Sequence, residues 1–192
     1  MQLWKPWNLA PPLLILCALA GCAASAAAEP SLAGHWLLDG DRSDSPERAS
    51  RRALRDVRRI MQPRGNSPRP GGSAAANTRA EEVLAPLSPP TRQVSIELND
   101  VEAIFRIDDR PARRHFTDGR AAVIDSSRPE QSIAAWEDGR LYIEQTFAGG
   151  TRIIETWWLE AGHLRADYEA RNSLFSEPIR FTLRFRRDGS QP

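Results

Sequence analysis

Three histidines, His35, His115 and His163, and a short polar run, Asp39, Asp41, Ser43 and Asp44, are the first places where side-chain chemistry would be sought. Zinc is held by ligands spaced a few residues apart on one element, and no histidine here has such a neighbour. The polar run opens like a calcium loop, but Asp44 stands where that loop needs glycine and Ser50 where it needs glutamate, so no metal is expected. Asp108-Asp109 lies beside Arg110-Pro111, a setting in which aspartates make turns rather than serve as acid and base. No nucleophile elbow, no paired-histidine zinc motif and no phosphate-cradling glycine loop occurs. The sequence therefore offers no catalytic residue and no cofactor, and an enzyme would need groups gathered from distant strands.

The aromatic residues are more suggestive. Trp157 and Trp158 are adjacent, so on a strand they point to opposite faces. Together with Trp136 and Tyr142 they are candidate contacts for a small apolar or amphipathic ligand, since a barrel of about eight strands is just wide enough to hold one. A filled hydrophobic core accounts for the same residues. The second candidate surface is basic. Eight arginines against Glu47 and Asp56 fall between Ser45 and Arg69, and Arg51, Arg52, Arg55, Arg58 and Arg59 lie on one expected helix. Such a face suits an envelope protein or an anionic surface. In total, 25 arginines and the lone Lys5 face 25 acids.

Both alternatives depend on where the chain resides. Lys5 precedes the apolar run Leu13-Leu14-Ile15-Leu16-Cys17-Ala18-Leu19-Ala20, the pattern of a secretory signal over residues 1–21. Leu19-Ala20-Gly21-Cys22 resembles the lipobox of bacterial lipoproteins, which implies acylation of Cys22, a lipidated tether over 22–31 and, with Ala23 following, an outer-membrane protein facing the periplasm. Cleavage behind Ala28, giving a soluble periplasmic protein, is the alternative. Export excludes nucleic acid as a partner. Cys17 and Cys22 are the only cysteines, so the folded part has no disulfide and must stand on its core.

The elements that position these residues follow from periodicity. Leu32 to Leu38 reads as a first strand, and Asp44 as the cap of an amphipathic helix running to about Met61, these forming a unit over 32–62. Residues 63–91 are Pro-, Gly- and Ala-rich and read as a linker with at most a helical turn over 79–84. Over 92–187 the period becomes two, clearest in Leu164, Ala166, Tyr168, Ala170 and in Ile179, Phe181, Leu183, Phe185. Asp118-Gly119, Asp138-Gly139 and Gly149-Gly150 predict tight hairpins. About nine strands in sequence predict a mainly β fold, an antiparallel meander that closes into a small barrel or strongly curved sheet, with one amphipathic helix after the first strand.

Gly34-His35-Trp36 in a first strand followed by a meander resembles the lipocalin or calycin pattern. That resemblance implies Gly34 and Trp36 at the barrel floor, with a late arginine, Arg184 or Arg186, over the indole. Gly34, Trp36, Leu38, Ser43, Asp44, Asp118-Gly119 and Asp138-Gly139 also resemble a group of exported proteobacterial lipoproteins with an Arg-rich helix and a Gly/Pro linker ahead of a β meander. This second likeness covers most of the mature chain and implies no particular activity.

Overall fold

The computed structural model describes residues 31–61, 72–87, 89–123 and 131–189, with side chains omitted for 60, 61, 72–77, 122 and 123. Cys22, the leader and the tether up to residue 30 lie outside the described residues.

Ten antiparallel strands form one sheet: β1 (Gly34–Leu38), β2 (Gln93–Leu98), β3 (Glu102–Ile107), β4 (Arg113–Phe116), β5 (Ala122–Val123), β6 (Gln131–Glu137), β7 (Arg140–Thr146), β8 (Arg152–Glu160), β9 (His163–Arg171) and β10 (Ile179–Arg187). Each strand but β4 pairs with the next, and β10 returns to β1 through Trp36↔Arg187 and Leu38↔Phe185. The meander thus curls into a nearly closed barrel. Alternation drives this. Leu164, Ala166, Tyr168 and Ala170 on β9 and Ile179, Phe181, Leu183 and Phe185 on β10 are all buried, while their neighbours Arg171, Arg180 and Arg186 are exposed.

The seam lies where sequence reading placed a hairpin. β4 pairs with β3 only, after which Asp118 bridges Ala135 and β5 pairs with β6. The chain therefore crosses the barrel wall instead of turning back. A two-residue type I′ turn needs positive φ at both central residues. At Asp138-Gly139 both comply, at 48° and 73°, and β6 and β7 form the expected hairpin. At residues 118 and 119 only Gly119 does, at 83°, and its N–H donates to the Ala134 carbonyl at 3.0 Å.

Two helices, not one, separate β1 from β2: α1 (Pro46–Met61) and α2 (Gly72–Leu84). The second occupies much of the stretch that composition assigned to a linker. Ala74-Ala75-Ala76 have the best intrinsic helix propensity, and Ala80 and Val83 find burial, so packing stabilises what looked like spacer. The cap of α1 is also shifted. Ser45, not Asp44, accepts the Arg48 N–H through its hydroxyl, at 3.2 Å. Asp44 is instead stitched to β10, donating its N–H to the Thr182 carbonyl and accepting the Thr182 N–H, each at 2.8 Å.

Both helices sit at one barrel end. α1 faces Phe175 to Ile179 before β10, and the Thr151 hydroxyl, just before β8, donates to the Val83 carbonyl at 3.3 Å. Leu32 and the start of β1 are at the other end, beside the end of β10.

Candidate ligand-binding site

Inward positions on most strands are apolar, but four strands place polar groups there. Arg113 and His115 come from β4, Ser132 from β6, Gln145 from β7 and Glu155 from β8, and the hydroxyl of Tyr168 on β9 joins them. Gln145 follows Leu141 and Ile143 in the inward register, and Glu155 lies between Ile153 and Trp157.

The Arg113 guanidinium makes a two-pronged contact with Glu155, Nη1 to Oε1 at 2.7 Å and Nη2 to Oε2 at 3.0 Å. Arg113 Nη1 also donates to Gln145 Oε1 at 3.4 Å, and the Trp157 indole N–H donates to Glu155 Oε2 at 3.0 Å. Glu155 is 2 % exposed. Burial alone would raise its pKa, but the Arg113 charge and hydrogen bonds overcome this and hold it below the ordinary value. Burial likewise opposes the charge on Arg113, and Glu155 raises its pKa past that penalty. The Tyr168 hydroxyl is pushed well above its usual pKa, first by burial and then by Glu155. His115 lies against Ser132, with Nδ1 and Oγ 2.7 Å apart, and burial, followed by the Arg113 charge, lowers its pKa to about 4.

Three polar atoms sealed in this cluster lack a well-formed hydrogen bond: Arg113 Nε, His115 Nε2 and the Tyr168 hydroxyl, the last lying beside Arg113 and Glu155. Leaving one such group unmet costs about 1–3 kcal/mol. Below the cluster the walls meet through rings. Phe105 and Trp157, on strands five places apart in the sheet, have centroids 5.1 Å apart, and Trp157 also meets Phe185 at 6.0 Å.

Of the four aromatic residues expected to line a ligand, only Trp157 is inside. Trp158 faces outward, held between Arg140 and Arg165, each 4.8 Å from its ring. Tyr142 is half-buried on the outer face, and Trp136, at the end of β6, is 44 % exposed. At the floor, Trp36 is buried, and its indole N–H donates to the Leu32 carbonyl at 2.9 Å. The arginine over it is Arg187, at 4.5 Å, not Arg184 or Arg186. Parity explains the correction: Arg184 and Arg186 alternate with the inward Leu183 and Phe185, whereas Arg187 shares their side and pairs with Trp36. Gly34 has φ of 134°, and a Cβ there would lie 3.0 Å from Arg187 Nη1, so the glycine makes room for that stack.

Arg51, Arg52, Arg55, Arg58 and Arg59 are all exposed on α1, with Arg59 Nη2 3.6 Å from Asp56. Asp108 is a turn residue at φ of 49° whose carboxylate accepts the main-chain N–H groups of Thr91, Arg92 and Gln93. Among the described residues no three metal-ligating side chains gather.

Reading alternation for its apolar members passed over the polar ones in the same register, Gln145 and Glu155. Arg113-Arg114-His115-Phe116 has no alternation from which an inward face could be read.

No family model and no curated protein matches the chain, so the likeness to exported proteobacterial lipoproteins rests on the residues quoted for it. Solved structures do match. The secretory abundant heat soluble protein of Ramazzottius varieornatus has a TM-score of 0.50 at 8 % identity, covering 82 % of this chain and 95 % of that one. Lipid binding protein 8 of Caenorhabditis elegans has a TM-score of 0.48 at 16 % identity, covering 84 % and 100 %. The zebrafish ileal bile acid-binding protein in complex with cholic acid has 0.48 at 12 %, covering 81 % and 98 %. At such identities the first likeness concerns the fold alone, an antiparallel β barrel, and the other two lend it no added weight.

Proposed function

We propose that the chain is an exported lipoprotein, anchored to the outer membrane through Cys22, whose barrel takes a small amphipathic molecule with its polar end against the Arg113–Glu155 cluster. The supporting observation is the set of three polar atoms without a well-formed hydrogen bond inside a β barrel, Arg113 Nε, His115 Nε2 and the Tyr168 hydroxyl. A barrel that served only as a filled core would be at least as stable with apolar side chains there. A polar guest supplies the missing hydrogen bonds.

Native mass spectrometry and tryptophan quenching test this on the mature chain, with dodecanol, monolaurin, laurate and dodecylamine as probes. Saturable one-to-one binding of at least one is expected; no adduct with any of the four overturns the reading. Labelling with a palmitate analogue should mark the wild type and not Cys22→Ala, and an unlabelled wild type removes the anchor from the proposal.

A second reading has its own observation. The exposed arginines of α1 stand at the barrel end opposite Leu32 and so face away from the anchored end. An anionic partner reached across the periplasm fits this placement. Replacing Arg51, Arg52, Arg55, Arg58 and Arg59 with Gln should abolish salt-sensitive association with envelope fractions; unchanged association rejects it.

A further inference from the structure

We propose that Glu155 sets the charge of the guest, so that the barrel selects an uncharged amphiphile with a hydroxyl or carbonyl head, such as a long-chain alcohol or a monoacylglycerol, over a fatty carboxylate. This rests on the reading that the barrel takes an amphipathic guest.

The paired Nη donors of Arg113, the fork a carboxylate would grip, are already occupied, and what opposes a carboxylate at the remaining donors is charge. Both Nη atoms of Arg113 are directed at Glu155, at 2.7 and 3.0 Å, and the Trp157 indole N–H is given to the same carboxylate at 3.0 Å. The buried charges balance within this pair. A guest carboxylate would place a second anion beside Glu155 with no second cation facing it, and like charges in a site of low dielectric repel strongly. His115 does not supply that cation, because burial and the Arg113 charge keep it neutral at ordinary pH. A guest ammonium fares no better, since Arg113 already neutralises Glu155.

The atoms left over suit a neutral head. Arg113 Nε–H can only donate. The Tyr168 hydroxyl can donate or accept. His115 Nε2 takes whichever role Nδ1 leaves it in its 2.7 Å contact with Ser132 Oγ. A hydroxyl both donates and accepts, so it satisfies the set with either tautomer of His115. An ester or ketone carbonyl meets the donors. Selection of this kind needs the repulsive element as well as the attractive one, and Glu155 is that element.

The experiment compares dodecanol and monolaurin with laurate and dodecylamine on wild-type chain and on Glu155→Gln, which keeps the shape and releases the Arg113 charge. In the wild type a neutral probe should bind at least about tenfold tighter than either charged one. Glu155→Gln should reverse the order in favour of laurate. Should that variant fail to fold, judged by near-ultraviolet circular dichroism, Tyr168→Phe replaces it and should weaken the neutral probe by about fivefold, since the hydroxyl loses a hydrogen bond to the guest. Laurate or dodecylamine binding the wild type as tightly as the neutral probes overturns the inference while leaving a guest-binding barrel intact. Absence of binding by all four overturns both.

Discussion

Two neighbouring tryptophans on β8 live in different media, and so do two kinds of arginine–carboxylate pair. Trp157 points inward, meets Phe105, Tyr168 and Phe185 and gives its N–H to Glu155. Trp158 points outward, between the guanidinium groups of Arg140 and Arg165. Inside, Arg113 and Glu155 make a two-pronged pair. Outside, Glu169 receives Arg171 and Arg180, and Glu144 receives Arg152, with the arginines of these pairs about half exposed. The residue types are the same and only the parity along a strand differs. Water screens the outer pairs, so each contributes little. The inner pair is far less screened, Glu155 being 2 % and Arg113 22 % exposed, and its two members depend on each other.

The sharpest way to break the comparison is to remove one inner partner. Arg113→Leu leaves the Glu155 carboxylate buried and unpaired, and chemical denaturation should show a loss of about 3–5 kcal/mol. Adding Glu155→Leu should recover most of that loss, whereas a double variant as weak as the single one would mean that packing, not charge, dominates there. Next in size is the response to acid. Unfolded His115 takes up its proton near pH 6.5, but folded His115 only near pH 4, because burial and then the Arg113 charge oppose the charged form. The unfolded chain therefore binds more protons across that window, and stability that is full above about pH 6.5 is lost progressively as pH falls towards 4, by about 3 kcal/mol in all. Melting temperatures measured from pH 7 to 4 should fall in the wild type and be flatter in His115→Gln; parallel curves would deny His115 this part. Smallest is the outer surface, where Arg180→Gln removes one of the two arginines on Glu169. Its cost should stay below about 1 kcal/mol and shrink further in added salt.

How much of this was legible depended on how local the determinant is. The inward faces of β9 and β10 and the Asp138-Gly139 hairpin need only a strict alternation or one dipeptide, and the sequence showed both. The barrel as a whole followed from counting such strands. Asp118-Gly119 carries the same dipeptide as 138 and 139, yet its backbone is decided by β3 on one side and β6 on the other, which lie far off in sequence. Composition misjudged α2 because the surface that holds Ala80 and Val83 belongs to other elements. Arg187 is one parity step from the arginines expected over Trp36 and lies beyond the last apolar residue of the strand, Phe185, where alternation no longer marks a face. The polar cluster was least legible of all. It is assembled from the inward registers of five strands, and no two of them offer a motif.

The crossing of the wall by residues 113–123 has a consequence for how copies of the protein behave beside each other. An open ten-stranded sheet would show two borders lined with free amide and carbonyl groups, each a template onto which a second molecule could zip. Here β4 is set against β6 by the bridge between Asp118 and Ala135, and β5, the other border, is two residues long. Among the described residues neither rim is long, and β4 carries the exposed Arg114, so a crowd of these barrels should stay apart.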